Sequence, residues 1–282
     1  MNLTSVGYIP DEKLITSLDL MASLKRPLLI EGDAGVGKTA AAVALAKLHD
    51  CKLIRLQCYE GLDIQSSIYE WNYSKQLLWI NLQKESSSEL ELKKIFDEAF
   101  LLERPLLQAI QETDSAVLLI DEIDRADEAF EAYLLEMLSE FQISIPELGT
   151  INAKSIPRVI LTSNGSRELS DALRRRCLYH YLDYPEPERE LAIIQQAIPD
   201  IHERLLKQAV NFVHAIRKMD LNKKPGIAET IDWTIALTGL NINDLLEDKD
   251  QISNTLGCLL KTRDDQQRIN PSELQRLINI AV

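Results

Sequence analysis

Eight residues, Gly32-Asp33-Ala34-Gly35-Val36-Gly37-Lys38-Thr39, constrain this chain more than any other feature. They fit the pattern G-x-x-x-x-G-K-[ST], a glycine-rich turn whose backbone N–H groups surround phosphate oxygens. Lys38 brings a point charge to the outer phosphates, and the Thr39 hydroxyl is a ligand for Mg²⁺. The flanks agree with that reading. Leu28-Leu29-Ile30 forms a short buried strand, and Ala40 to Leu48 forms an alanine-rich helix whose N-terminus faces the phosphates. An accidental glycine turn would need neither neighbour.

A phosphate loop needs a carboxylate partner, and Ala116-Val117-Leu118-Leu119-Ile120-Asp121-Glu122 supplies one. Its apolar run reads as a central strand of a parallel sheet, ending in two acids. Asp121 is placed as a second Mg²⁺ ligand, and Glu122 as the general base that polarises an attacking water. Taken alone, the acids could equally be a solvated turn, since Asp124, Asp127 and Glu128 follow. The phosphate loop tips the balance toward nucleotide hydrolysis.

The rest of the chain narrows the class. A length of 282 residues suggests about two domains, and a net charge of −13 disfavours nucleic acid and anionic membranes as partners. No apolar run is long enough for a transmembrane helix, and the N-terminus has no signal-peptide pattern. A cytoplasmic location follows as the expectation. Cys51, Cys58, Cys177 and Cys258 show no metal-ligand or disulfide spacing.

Strands alternate with helices up to about residue 182. The expected strands are 28–30, 52–57, 116–121, 158–163 and 178–182. A helix over 11–24 carries Leu14, Leu18 and Met21, and another carries Phe130, Leu134, Leu135 and Leu138. The pattern predicts an α/β fold, a doubly wound parallel five-stranded sheet with its ligand at the strands' carboxyl ends. Tyr184-Pro185-Glu186-Pro187 breaks it, giving expected domains of 1–184 and 185–282. The second is all-helical, with stripes at Leu206, Val210, Val213 and Ile216 and at Ile231, Ile235 and Leu240, and a last helix from Pro271. Residues 81–91 read as a mobile polar loop. Residues 141–153 read as a β-hairpin with Leu148 and Gly149 at an exposed tip, either a plain connection capping the sheet or a protruding tool.

Asn164, at the tip of the fourth strand, either orients the attacking water or simply makes a turn with Gly165. Arg174-Arg175-Arg176 has three readings: an arginine offered to a neighbour's γ-phosphate, salt bridges on an acidic surface, or a cluster that caps the backbone.

Taken in order, the phosphate loop, the Asp121-Glu122 strand, Thr162-Ser163-Asn164 and Leu173-Arg174-Arg175-Arg176-Cys177 resemble an AAA+ ATPase module. Within that superfamily the chain resembles the MoxR family. Residues Leu53 to Asp63, Tyr69 to Tyr73, Arg104 to Leu107 and Glu229 to Trp233 are similar to its CoxD-like subgroup, associated with carbon-monoxide dehydrogenase maturation. The resemblance implies a P-loop core with a helical lid, ATP and Mg²⁺ as cofactors, and assembly into a ring, commonly a hexamer. It implies the sensor role for Asn164 and the arginine-finger role for Arg176, with Arg174 in reserve. It further implies chaperone-like work on a protein client, a metalloenzyme of molybdenum hydroxylase type reached through the hairpin, and a von Willebrand factor A-domain partner. A nucleotide-dependent switch with little turnover and a clamp-loader-like DNA-processing ATPase are the alternatives. The chain departs from the pattern at Pro225 to Thr230, where no arginine stands for the lid to present; Lys223 and Lys224 are the nearby cations.

Overall fold

The computed structural model describes residues 1–85 and 95–282. They fall into two compact units. The first comprises Met1–Asn2, Asp11–Glu31 and Thr39–Tyr181; the second comprises Leu3–Pro10, Gly32–Lys38 and Leu182–Val282.

In the first unit, strands β1 (Leu28–Glu31), β2 (Leu53–Gln57), β5 (Val117–Asp121), β8 (Arg158–Ser163) and β9 (Leu178–Tyr181) form one sheet. Its order is β2-β5-β8-β1-β9, and every pairing is parallel. All five expected strands are present. β5 is buried along its whole length, as a strand covered on both faces must be. β2 lies at the edge and alternates, burying Ile54 and Leu56 while Arg55 and Gln57 are exposed. That alternation fixes which of its residues face solvent.

Two antiparallel ribbons are added to the sheet. Strands β3 (Tyr69–Trp71) and β4 (Leu101–Glu103) pair with each other, and β6 (Gln142–Ile145) pairs with β7 (Gly149–Asn152). The unit's helices are α1 (Glu12–Leu24), α2 (Lys38–Leu48, entered from the second unit's Lys38), α3 (Ile64–Ser67), α4 (Tyr73–Glu85), α5 (Pro105–Gln111), α6 (Glu128–Glu140) and α7 (Asp171–Arg176). Asp11 caps α1, accepting from the Leu14 N–H at 2.6 Å, and Asp127 caps α6 through Phe130 at 2.8 Å. α1 buries Leu14, Leu18 and Met21 as expected. Phe130, Leu134 and Leu138 of α6 enter the main core.

Two expectations need correction here. Residues 81–85 are the last turns of α4, and 86–91 lie outside the described residues. The helix escapes the periodicity argument because Tyr73, Leu77, Leu78 and Leu82 are exposed, while the face turned to the core carries the polar Gln76 beside Trp79. The hairpin is present, but Leu148 packs against the core; Pro146, Glu147, Gly149 and Thr150 are the exposed residues of its turn. Ile143, Ile145 and Ile151 bury the ribbon's apolar face.

The second unit holds helices α8 (Pro187–Ala197), α9 (Glu203–Arg217), α10 (Ile227–Gly239), α11 (Lys249–Thr255), α12 (Arg263–Arg268) and α13 (Pro271–Ala281). The α9 stripe is as expected, with Leu206, Val210, Val213 and Ile216 buried. For α10 the helix is right and Ile231 packs against the cluster of Ile194, Leu206 and Val210, but the rest of the expected stripe faces out. Ile235 and Leu240 are exposed, while Trp233 and Leu237 are fully buried. Trp233 stacks on Phe212 at 4.8 Å between centroids and donates from its indole N–H to the Thr255 hydroxyl at 2.8 Å. An aromatic pair of that size decides which side of the helix is inward.

Candidate nucleotide site

The phosphate loop belongs to the second unit, and Gly32 and Gly35 are required there for different reasons. A Cβ on Gly32 would stand 2.1 Å from the Leu182 carbonyl oxygen, a distance no side chain survives. Gly35 has φ +80° and its α-carbon faces Gly226, the residue before α10. The Ile227 N–H donates to the Gly35 carbonyl at 2.9 Å. The loop is thus tied by backbone to the start of α10. Asp33, Ala34 and Gly35 are exposed and Val36 is buried. Lys38 is buried, its ammonium donating to the Gly32 and Asp33 carbonyls at 2.7 Å each. That curls the side chain back over its own loop.

Behind the loop in the same unit is a buried ion pair. Glu190 is fully buried; Arg217 donates to both its oxygens, at 2.6 and 2.8 Å, and Thr230 at 2.9 Å. His214 Nε2 lies 2.8 Å from the same carboxylate. Burial pushes the Glu190 carboxyl up. The hydrogen bonds from His214, Arg217 and Thr230 outweigh it and hold the group below the ordinary glutamate value. The Arg217 guanidinium also lies 4.7 Å from the centroid of the Tyr184 ring. Burial, and then the Asp33 carboxylate, raise the Tyr184 phenol, which stays protonated beside the loop. Lys223 and Lys224 are exposed.

The acid-tipped strand belongs to the first unit. Asp121 is buried at the end of β5, where it accepts from the Thr162 hydroxyl at 2.5 Å and the Thr39 hydroxyl at 3.1 Å. Arg55 Nη2 donates to its other oxygen at 2.6 Å. Thr39 and Asp121 therefore converge as hard oxygen donors, the set Mg²⁺ takes when phosphate and water complete its shell. Glu122 follows with φ +55° and ψ +50°, a left-handed conformation costing a non-glycine residue roughly 1–2 kcal/mol. Its N–H donates to Thr162 Oγ1 at 2.9 Å, which turns the chain out of the strand. Its carboxylate accepts from Gln57 at 3.0 Å and from Arg125 at 3.1 Å. Cys58 lies under this cluster, its thiol pushed up to about 12 by burial and then by the carboxylates of Asp121, Asp124 and Glu122.

Asp124, which looks like part of a solvated turn in the sequence, is buried and holds the neighbouring loop. Its Oδ2 accepts from the backbone N–H groups of Asn164 and Ser166 at 3.2 and 2.9 Å and from the Ser166 hydroxyl at 2.6 Å. Burial raises its pKa, but these bonds prevail and the carboxyl sits below its ordinary value. Asn164 itself is exposed at the tip of β8. Of the arginines at the end of α7, Arg176 donates to the Ser139 hydroxyl at 2.5 Å and the Ala172 carbonyl at 3.0 Å. The Arg174 side chain is exposed and makes no hydrogen bond or salt bridge among the described residues.

A family model described as AAA domain (dynein-related subfamily) matches residues 27–177, more than half of the chain. The chain belongs to that family. The gas vesicle ATPase GvpN of Haloferax mediterranei is 26% identical to it over 235 residues, covering 76% of this chain and 66% of the relative. GvpN2 of Halobacterium salinarum is 26% identical over 208 residues, covering 67% and 59%. The chain thus spans less than two thirds of the length of these relatives, 66% of one and 59% of the other. Among solved structures, a point mutant of Thermotoga maritima RuvB matches with a TM-score of 0.53 at 17% identity, over 90% of this chain and 70% of that one. A putative ATPase from Cytophaga hutchinsonii matches with a TM-score of 0.51 at 16% identity, over 99% and 92%. These likenesses establish the AAA+ P-loop fold. No helix among the described residues is long and apolar enough to cross a membrane.

Proposed function

We propose that this AAA domain protein hydrolyses ATP and uses the cycle to remodel a protein client. The convergence of Thr39, Asp121 and Glu122 at the end of β5 carries the reading. Magnesium held by Thr39 and Asp121 would offset charge on the β- and γ-phosphates. Lys38 and the loop from Gly32 to Gly37 bind the phosphates, Glu122 accepts the proton of the attacking water, and Asn164 orients that water. On this reading residues 1–184 are the nucleotide-binding domain and 185–282 the lid. The relatives named as ATPases support hydrolysis. A Mg²⁺-dependent phosphate-release assay on the parent and on Lys38→Ala tests it. The parent turns over and the variant loses most nucleotide affinity; a parent without Mg²⁺-dependent turnover would favour the switch reading, for which the Gln57 and Arg125 bonds to Glu122 speak.

Ring assembly, most simply a hexamer, is part of this reading because AAA+ modules commonly form rings, and the arginines of α7 support it. Arg174 is free to reach a neighbouring subunit, whereas Arg176 must first give up Ser139 and Ala172. Alanine at the finger position lowers turnover by 10³-fold or more in order of magnitude, with ATP binding intact. Testing Arg174→Ala and Arg176→Ala side by side identifies which arginine serves. Mixing the active-site-dead Lys38→Ala with the finger variant then restores some activity if the site is shared between subunits.

The client reading is the MoxR one, with the CoxD-like phrases pointing to maturation of a molybdenum hydroxylase type metalloenzyme and a von Willebrand factor A-domain partner. The gas vesicle relatives widen the class to other protein assemblies. DNA as substrate is disfavoured by the charge of −13. A cytoplasmic site of action fits such clients. The β6–β7 turn is the client-engaging element proposed here. Replacing Glu147 and Thr150 by Gly and Ser, with Leu148 kept in its core position, leaves ATPase unchanged and abolishes client maturation; normal maturation would remove the hairpin from the mechanism.

A further inference from the structure

A cavity of about 580 Å³ opens in the second unit where α9 and α13 pack together, and the nucleotide chemistry makes no use of it. Its volume falls within the range of about 300–1,000 Å³ that holds small ligands. Asn211, His214 and Lys218 line it from one face of α9, and Arg276 and Ile280 line it from α13, one turn apart. Met219 adds a further apolar surface. The chain has 44 acidic residues against 31 basic ones, yet no carboxylate lines this cavity among the described residues. A basic, partly apolar hollow in so acidic a chain favours an organic anion as its occupant.

The bonds these side chains already make narrow the ligand. Arg276 donates from Nε and Nη2 to Glu273 at 2.6 to 3.1 Å, so its charge is largely offset. His214 is held through Nε2 by Glu190 at 2.8 Å. Lys218 is exposed, and its side chain makes no hydrogen bond or salt bridge among the described residues. The unopposed charge of the wall is therefore that of Lys218, which matches a carboxylate monoanion better than a phosphate dianion. Asn211 donates from Nδ2 to the Ala281 carbonyl at 3.3 Å, which leaves Oδ1 to accept an N–H from a ligand. A carboxylate, an adjoining N–H and an apolar side chain occur together at the C-terminus of a polypeptide. We propose that this cavity binds the C-terminal carboxylate of a partner polypeptide whose last side chains are apolar. Lys218 pairs with the carboxylate, Asn211 accepts from the last peptide N–H, and Met219 and Ile280 cover the side chain. None of this depends on the roles given to Asp121 and Glu122.

Fluorescence anisotropy on the full chain tests this with a tetrapeptide that ends in leucine and valine and carries its label at the amino end. The free acid binds saturably. The C-terminal amide of the same peptide binds about tenfold more weakly or worse, the difference expected for one charge-assisted hydrogen bond. Lys218→Met weakens the acid by a similar factor and leaves the amide within about twofold. Ile280→Ser weakens both forms alike, because it removes apolar contact and no charge. Lys218 and Ile280 are exposed, so both variants fold, which circular dichroism verifies. Lys249→Met removes an exposed lysine of α11 outside the cavity; it controls for net charge and changes neither form. Equal affinity for acid and amide would overturn the proposal, as would a loss in Lys249→Met as large as that in Lys218→Met. Inorganic phosphate or hexanoate that displaced the labelled peptide as well as the unlabelled peptide does would also overturn it, leaving an unselective anion site or a site for small aliphatic acids.

Discussion

Each unit contains a buried carboxylate paired with an arginine near its part of the site, Asp121 with Arg55 and Glu190 with Arg217, and these two pairs are built for opposite ends. Glu190 is fully buried, and its partner Arg217 is itself buried, bidentate, and backed by Thr230 and the Pro225 carbonyl at 2.8 Å. Asp121 is as deeply buried, yet Arg55 reaches it by one nitrogen from a half-exposed side chain. Removing water from both partners makes an ion pair hard to break without leaving an uncompensated charge. Leaving one partner in water makes the pair weak and exchangeable. The first arrangement suits a fixed scaffold behind the phosphate loop. The second suits a site where a cation is to be exchanged.

The largest effect should come from breaking the scaffold pair. Arg217→Met leaves the buried Glu190 without its arginine, a change that costs about 3–5 kcal/mol in comparable buried pairs. Thermal and urea unfolding should show it. A loss of under about 1 kcal/mol would place this pair in the same class as the other and dissolve the contrast.

Acid should act on the scaffold next. The Glu190 carboxyl lies below its unfolded value of 4.5, so its contribution is complete above that pH and is lost as pH falls through the lower folded value. Stability of the parent should therefore decline below about pH 4.5. In Glu190→Gln the decline should be shallower. Equal slopes would mean that other carboxylates dominate.

Smaller still is the response of the exchangeable pair. Arg55→Met should shift stability by no more than about 1 kcal/mol, and a double-mutant cycle with Asp121→Asn should give a coupling energy of similar size that shrinks in 0.5 M salt. A salt-insensitive coupling of several kcal/mol would show that Arg55 is as fixed as Arg217.

The same contrast explains what could be read from sequence. The phosphate loop, the acid-tipped strand and all five sheet strands were legible because each is a contiguous run with its own period or motif. Asp124 was not, since an acid after a strand gives no sign that it will be buried and bonded to Ser166 and the Asn164 backbone. Nor was Arg217, which is 27 residues from Glu190 and meets it only once α8 and α9 have packed. Arg55 and Gln57 look like ordinary solvent-facing residues of an edge strand; their meaning depends on the β2–β5 register, which no local pattern encodes. For α10 the periodicity revealed the helix, but the stacked Trp233 and Phe212 chose its face. Leu148 was misplaced for a similar reason: a turn residue that packs inward gives no local signal.

We assign Glu122, in a left-handed turn held by Thr162, chemistry that is distinct from binding. Measuring ATP affinity and phosphate release on one preparation of Glu122→Gln tests it most directly. The amide cannot take up the proton of water, so affinity should stay within about twofold of the parent while turnover falls at least 10²-fold, the order expected for loss of a general base. Turnover close to the parent's, or a loss of ATP affinity as large as that of Lys38→Ala, would contradict the account.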